Sequence, residues 1–318
     1  MKKIVIFGGG SGLSQLLKGI RLFPVEITAG VCVSDNGQST GKLRKELNIP
    51  AVGDITKVML AMSDANQDII DLMNYRFTKS KTIGNHSVKN LLLTALLDLH
   101  GSFDKAIPVL EKLLDIKGRI VPLTEDNVDL VGITFDDKKI YGEVKITASA
   151  KKIKRLMYNK PITVNPKVLK AVDEADLIIF SSGSLLTSII PHLIDQKLVN
   201  KINRSKADKM YICNLFTQPG ETDNFTVGDH IKLLESYLGK NSIDVVIAND
   251  VMMNSKLCEK YAVKEQKDPV KLDMDEFKKK KIKVISDKLF MIEDNMYRHD
   301  SLKTAYLIFS YLMKKEDE

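Results

Sequence analysis

The sequence predicts an α/β protein: a doubly wound, mostly parallel sheet with a small antiparallel β subdomain inserted at residues 118–160. Three observations predict it. Short apolar runs alternate with amphipathic helical stretches, the βαβα order that a parallel sheet requires. The first of those runs passes straight into a glycine turn and a helix, "KIVIFGGGSGLSQLL". In the middle of the chain the alternation stops, and short strand-like runs follow one another through turns.

Taken in order, Ile4 to Phe7 form the first strand, and Leu13, Leu16, Leu17 and Ile20 give the next segment a helical apolar face. "EITAGVCV" is a second strand, and Asp54 is placed to cap a helix over "ITKVMLAMSD". Residues 67–114 read as helical, including "NHSVKNLLLTALLDL". "RIVPLT", "VDLVGITF", "KIYGEVKIT" and "KIKRLMY" read as the inserted strands, with a turn at Asp136 and Asp137. The α/β pattern returns with "ADLIIFSSGSLLTSIIPHLI", "DKMYICNL" and "IDVVIAND". A last helix is expected from Asp300, burying Leu302, Ala305, Tyr306, Phe309 and Met313.

Composition narrows the function classes. The chain has 318 residues and a formal net charge of +7, yet aromatics are only 6% and Trp is absent. No basic stripe interleaves with aromatic residues, so the excess reads as a lysine-rich surface and sites for small anions, not a nucleic-acid face. The basic run at residues 278–281 reads as a solvated helix end or loop. Three widely spaced cysteines form neither C-x-x-C nor a paired framework. With no apolar stretch long enough to span a bilayer, the expectation is a cytoplasmic protein without a membrane span.

Four polar clusters fall where strand carboxyl ends are expected, the place where open parallel sheets bind ligands. The first is Gly8, Gly9, Gly10, Ser11 and Gly12. It matches neither G-x-G-x-x-G nor a Walker A loop, but a strand–glycine–helix turn exposes N–H groups suited to an anion. The second, "SDNGQSTGKLRKEL", offers Asp35, Asn36, Ser39, Thr40, Lys42 and Arg44. Hydroxyls and cations suit a phosphate, and Asp35 suits a metal or a hydroxyl. The third is Ser181, Ser182, Gly183 and Ser184, a second strand–glycine–helix turn in which a serine could serve only as N-cap. Together with the first turn it suggests a diphosphate between them. The fourth is "CNLFTQPGET", whose Asn214, Thr217, Gln218 and Glu221 could orient a sugar or base. In "GNHSVKNL", His86 and Asn90 stand four residues apart; His86 is either a general base or a buried, hydrogen-bonded structural histidine. No H-E-x-x-H set or G-x-S-x-G elbow occurs.

The order "GGGSGLSQLLKG", "VSDNGQSTGKLRKELNIPAVGDI", "GNHSVKNLLL", "SSGSLLTSIIPHL", "NLFTQPGET" and "YRHD" resembles the bacterial gluconeogenesis factors, relatives of 2-phospho-L-lactate transferase. The resemblance runs nearly the whole chain. It implies a single Rossmann-like domain over residues 1–318, a link to gluconeogenic growth and cell shape, and binding of a UDP-sugar. The transferase relatives move a phospholactyl-type group with magnesium, which would make Asp35 a metal ligand and Asp35 and His86 catalytic. Asn36 stands where that family usually has a second Asp, Thr56-Lys57 where it commonly has Arg-Asn, and Lys89 where it has Gly. These departures weaken transferase chemistry more than nucleotide binding. Tyr261, in "EKYAVKEQKDPV", offers a face on which a base could stack, and Arg298, in "YRHD", a guanidinium for a phosphate or carbonyl. The leading expectation is therefore a UDP-sugar- or other nucleotide-diphosphate-binding regulator, with magnesium as the one candidate cofactor. The alternative is a magnesium-dependent phosphotransferase with a nucleotide-diphosphate-linked donor. The protein partner stays open, with a homodimer as one candidate.

Overall fold

A computed structural model describes residues 1–149, 152–278 and 280–314. Lys279, within the predicted basic run, lies outside the described residues. The strands are β1 (Lys2–Gly8), β2 (Val25–Val31), β3 (Arg119–Pro122), β4 (Leu130–Thr134), β5 (Lys139–Tyr141) and β6 (Ile153–Tyr158), then β7 (Leu177–Phe180), β8 (Asp208–Ile212), β9 (Val245–Asn249), β10 (Lys283–Asp287), β11 (Phe290–Glu293) and β12 (Met296–His299). Before the insert come α1 (Gly10–Ile20), α2 (Gln38–Leu47), α3 (Gly53–Met62), α4 (Gln67–Asn74), α5 (Val88–His100) and α6 (Phe103–Leu113). After them come α7 (Glu143–Thr147), α8 (Pro166–Glu174), α9 (Gln196–Arg204), α10 (Val227–Leu238), α11 (Ser255–Glu265), α12 (Met274–Lys278) and α13 (Ser301–Lys314).

Seven strands form one sheet in the order β10-β9-β8-β7-β1-β2-β3, with every neighbouring pair parallel. Both faces are covered at the centre, so β1, β7 and β9 carry buried apolar runs, whereas the edge strand β10 is only partly buried. Ile4 and Ile6 face the layer of α1, α3 and α13, while Val5 and Phe7 face the layer of α8, α9 and α10. The order reverses at β1: β2 and β3 extend one way, and β7 to β10 the other. The β1/β7 boundary is thus the topological switch point, where an open sheet leaves a crevice beyond its carboxyl ends.

The antiparallel insert exists, in the order β5-β4-β6, with Asp137 in the left-handed conformation at the expected turn. Its predicted start is early, because "RIVPLT" supplies β3 to the edge of the main sheet. Part of "KIYGEVKIT" is helix α7, not strand. Two further expectations change. Asp54 is not a cap; it stands inside the first turn of α3 and is buried. On α13 the buried residues are Thr304, Ala305, Ile308 and Leu312, whereas Leu302 and Tyr306 are exposed. Both apolar stripes were present in the helix, and packing against α1, where Gly19 meets Ser301, selects between them. No described helix is long and apolar enough to cross a membrane.

Candidate functional site

The two glycine turns meet at the switch point. A Cβ on Gly12 would lie 2.0 Å from the Ser182 carbonyl oxygen, so only glycine lets the start of α1 reach the turn after β7. Gly10 takes a φ of +56°, which also favours glycine. Asn214, from the loop after β8, pins the second turn: its Oδ1 accepts from the Gly183 N–H at 2.7 Å, and its Nδ2 donates to the Gly183 carbonyl at 2.8 Å. Ser184 is the cap of the helical turn that follows, accepting from the Thr187 N–H at 3.0 Å and donating to Glu221 at 2.6 Å.

A cleft of about 680 Å³ opens over these turns. Ser11, Gly12, Ser182 and Gly183 line it, joined by Asn214, Thr217 and Gln218 from the β8 loop. Tyr261 of α11 stacks on Phe216 with ring centroids 4.6 Å apart, and its hydroxyl accepts from the Tyr297 N–H at 2.9 Å. Arg298 is exposed on β12, just before the final helix, and lines the cleft. Beside it stands His299, both of whose ring nitrogens are buried without a hydrogen-bond partner. Burial pulls its pKa down to about 4, leaving a neutral imidazole at neutral pH. Gln218 Oε1 is likewise buried and unpartnered. The opposite wall carries Lys18, Lys57 and Lys89 from α1, α3 and α5. A second cleft, about 880 Å³, lies between α6 and α8 at the amino-terminal ends of β1, β2 and β3, away from both glycine turns.

Behind the first glycine turn is an acidic centre. The Asp54 carboxylate lies against Gly9 and Gly10, and Lys57 Nζ lies 3.3 Å from Asp54 Oδ1. Burial raises the pKa of Asp54, Lys57 opposes that, and Asp35 adds to it. Glu143 of α7 is pushed up to about 8, first by burial and then by repulsion from Asp35 and Asp54. Magnesium wants several hard oxygens in near-octahedral array. Here Asp35 Oδ1 accepts from the Gly37 N–H at 2.7 Å, Asp54 is held as above, and no three metal-ligating side chains group together among the described residues. The donor set as folded does not fit a preformed magnesium centre.

Nine of the residues singled out from sequence line the cleft: Ser11, Gly12, Ser182, Gly183, Asn214 and Thr217, with Gln218, Tyr261 and Arg298. The rest do not line it. Gly8, Gly9 and Gly10 lie behind it, packed on Ser181 and Asp54. Asn36 Oδ1 accepts from the Val144 N–H at 3.0 Å and so ties the second loop to the insert. Ser39 Oγ bonds His86 Nδ1 at 2.8 Å and accepts from Asn90 at 3.3 Å, a buried network that makes His86 a hydrogen-bonded structural histidine. Thr40 packs against Gly53, and Lys42 is exposed away from the cleft. The Arg44 guanidinium is buried against Asp35 O, Asn127, Val128 O and Asp129, not held for a phosphate. Missed were Lys57, Lys89, Phe216 and His299 in the cleft, and Asp54 and Glu143 behind it. His299 and Phe216 lie inside quoted motifs, whereas Glu143 belongs to the insert and had no local signal.

Fold and site together define a doubly wound α/β protein with a crevice at its switch point. The chain belongs to the 2-phospho-L-lactate transferase CofD family, whose profile matches residues 4–290. It is 38% identical to the gluconeogenesis factor of Bacillus subtilis over 311 residues, 98% of each chain. It is 37% identical to that of Halalkalibacterium halodurans, covering 96% of this chain and 95% of the other. A crystal structure of a Bacillus halodurans protein superposes with a TM-score of 0.93 at 36% identity, over 97% of this chain and 99% of that one.

Proposed function

We propose that the chain is a cytoplasmic regulator that binds a nucleotide-diphosphate sugar, in particular a UDP-sugar, and links its supply to gluconeogenic growth and cell shape. The relatives' name, gluconeogenesis factor, agrees with the metabolic half of that reading. The observation that carries the binding half is the cleft itself. Its floor is two glycine turns, of which the first opens helix α1, its far wall a stacked Tyr261–Phe216 pair, and its rim Arg298. A diphosphate fits over Ser11–Gly12 and Ser182–Gly183, the uracil lies toward Tyr261 and the β8 loop, and Arg298 clamps a phosphate or base carbonyl. The whole of residues 1–318 would work as one domain.

The acidic centre favours a second reading, transfer of a phosphorus-containing group, because clustered carboxylates of raised pKa are common where protons or metals are handled. Calorimetry with UDP-sugars, followed by chromatography of the bound ligand after incubation with and without magnesium, separates the two. Binding without turnover supports the regulator. Magnesium-dependent consumption replaces it with the transferase, and no binding removes both.

A further inference from the structure

We propose that the outer face of α13 is a self-association surface, through which two copies of this chain pair their last helices antiparallel about a two-fold axis. The surface lies outside the cleft, and the inference does not depend on which ligand binds there.

Helix α13 carries more apolar residues than the core uses. Thr304, Ala305, Ile308 and Leu312 are buried. A second stripe, Leu302, Tyr306, Phe309 and Met313, runs along the outer side at steps of four, three and four residues. That is the spacing of a coiled-coil seam, which keeps one face of a helix toward a partner helix. Leu302 is 55% exposed and Tyr306 54%. Phe309 and Met313 are half-buried, and the Phe309 ring centroid lies 5.1 Å from that of Phe23. Beside Phe23 in the chain, Leu22 is exposed as well. At the carboxyl end of the stripe a hollow of about 370 Å³ opens, lined by Met1, Lys2, Pro24, Asp176, Phe309 and Met313. Single apolar side chains are ordinary on a protein surface, but a ridge in heptad register beside a partly apolar hollow has the form of an interface.

Three features select a second copy as the occupant. An antiparallel pair centred between Leu307 and Ile308 sets Leu302 against the partner's Met313 and Tyr306 against the partner's Phe309. Aliphatic meets aliphatic and aromatic meets aromatic, and Leu302 becomes the knob for the hollow beside the partner's Met313. The helix ends are complementary too. Asp300 Oδ1 accepts from the Lys303 N–H at 2.9 Å at the start of α13, and Lys314 closes the helix. The antiparallel pair brings Asp300 near the partner's Lys314, and the two dipoles oppose favourably. A parallel pair would set like charges together at both ends. The flanks of the stripe, finally, present no uncompensated charge: Lys303 is held by Asp287 at 2.7 Å, and Ala305, Ser310 and Leu312 are neutral. A two-fold interface has to be self-complementary in this way. Fourteen residues of helix span about 21 Å, which puts the contact at the small end of specific interfaces, so the dimer should form and dissociate across the micromolar range.

Sedimentation equilibrium across that concentration range tests the surface. The wild type should pass from the mass of one chain to that of two. Leu302→Glu and Tyr306→Glu replace exposed side chains, so each should keep the wild-type circular dichroism and the melting temperature of the dilute protein, while weakening the dimer by about tenfold or more. The register has its own test. Leu302→Cys and Met313→Cys proteins should form an intermolecular disulfide when mixed and oxidised, and neither should do so alone. Wild type oxidised in parallel gives the background from Cys258, since Cys32 and Cys213 are buried. The mass of one chain at every concentration, or a dimer untouched by both glutamate variants, overturns the surface. Cross-linking of Leu302→Cys to itself overturns the antiparallel pairing.

Discussion

Tyr261 and Arg298 share a cleft but differ in what holds them. The Tyr261 ring is 9% exposed, stacked on Phe216 and fastened through its hydroxyl to the Tyr297 N–H. Tyr261→Ala should therefore lower both UDP-sugar affinity and stability, the latter by about 3 kcal/mol, a typical cost for emptying an aromatic site. Tyr261→Phe removes only the hydrogen bond and should cost about 1 kcal/mol of stability with affinity retained. Arg298 is exposed on β12, so Arg298→Ala should leave the melting temperature unchanged and weaken the ligand by about 1.5–3 kcal/mol, the range for a hydrogen bond to a charged group. Lysine there should not restore affinity, since it lacks the planar fork. Calorimetry and thermal denaturation on the same samples check all four variants. Wild-type affinity in both alanine variants would take this end of the cleft out of the site.

Short elements set the limits of the site. β11 and β12 are joined through Asp294 and Asn295, both at positive φ, the geometry of a tight hairpin turn. That hairpin delivers Arg298 and His299 beside α11. At the far edge of the sheet, Glu111 Oε1 accepts from the Ile120 N–H at 3.1 Å and Pro122 has no N–H, which blunts β3 against pairing with another chain. Helix α7 brings Glu143 from the insert to Asp35 and Asp54. Its carboxyl holds a proton up to about pH 8, against an ordinary value of 4.5, so the folded protein binds more protons than the unfolded chain between those values. Stability from this group is full below about pH 4.5 and is lost as pH rises toward 8. Glu143→Gln should flatten that slope, with a melting temperature above wild type at pH 8 and little changed at pH 4.5. Parallel pH dependences of the two proteins would mean that Glu143 titrates normally.

On the scale of the molecule, ligand binding and folding are linked. A ligand at a hundredfold excess over Kd adds about 2.7 kcal/mol of stability, which for a chain of this length is a rise of about 4 °C in melting temperature. On the proposed reading, in which the glycine turns and Arg298 hold the diphosphate without a metal, a UDP-sugar should produce that rise equally with EDTA present. Loss of the shift on chelation would establish a metal-bridged site at Asp35 or Asp54 and move the balance to the transferase reading.

Much of this was legible in the sequence. Alternating strands and helices gave the α/β class, and glycine turns at strand ends gave the location of the crevice, because both signals are local: hydrophobic period and backbone permissiveness. The same locality explains the errors. Asp54 reads as a cap until burial and Lys57 place it under Gly10, and the bond from His86 to Ser39, 47 residues away, which agrees with the structural one of its two readings, has no local signal. β3 sits among antiparallel strands in sequence but pairs parallel with β2, since a four-residue apolar strand carries no mark of its partner. The chain by itself determined which segments were strand, helix and turn, and that two of those turns could face an anion. Only the tertiary structure decided which polar groups reached the cleft and which were used to hold loops in place, because desolvation and long-range charge act between residues distant in sequence and close in space.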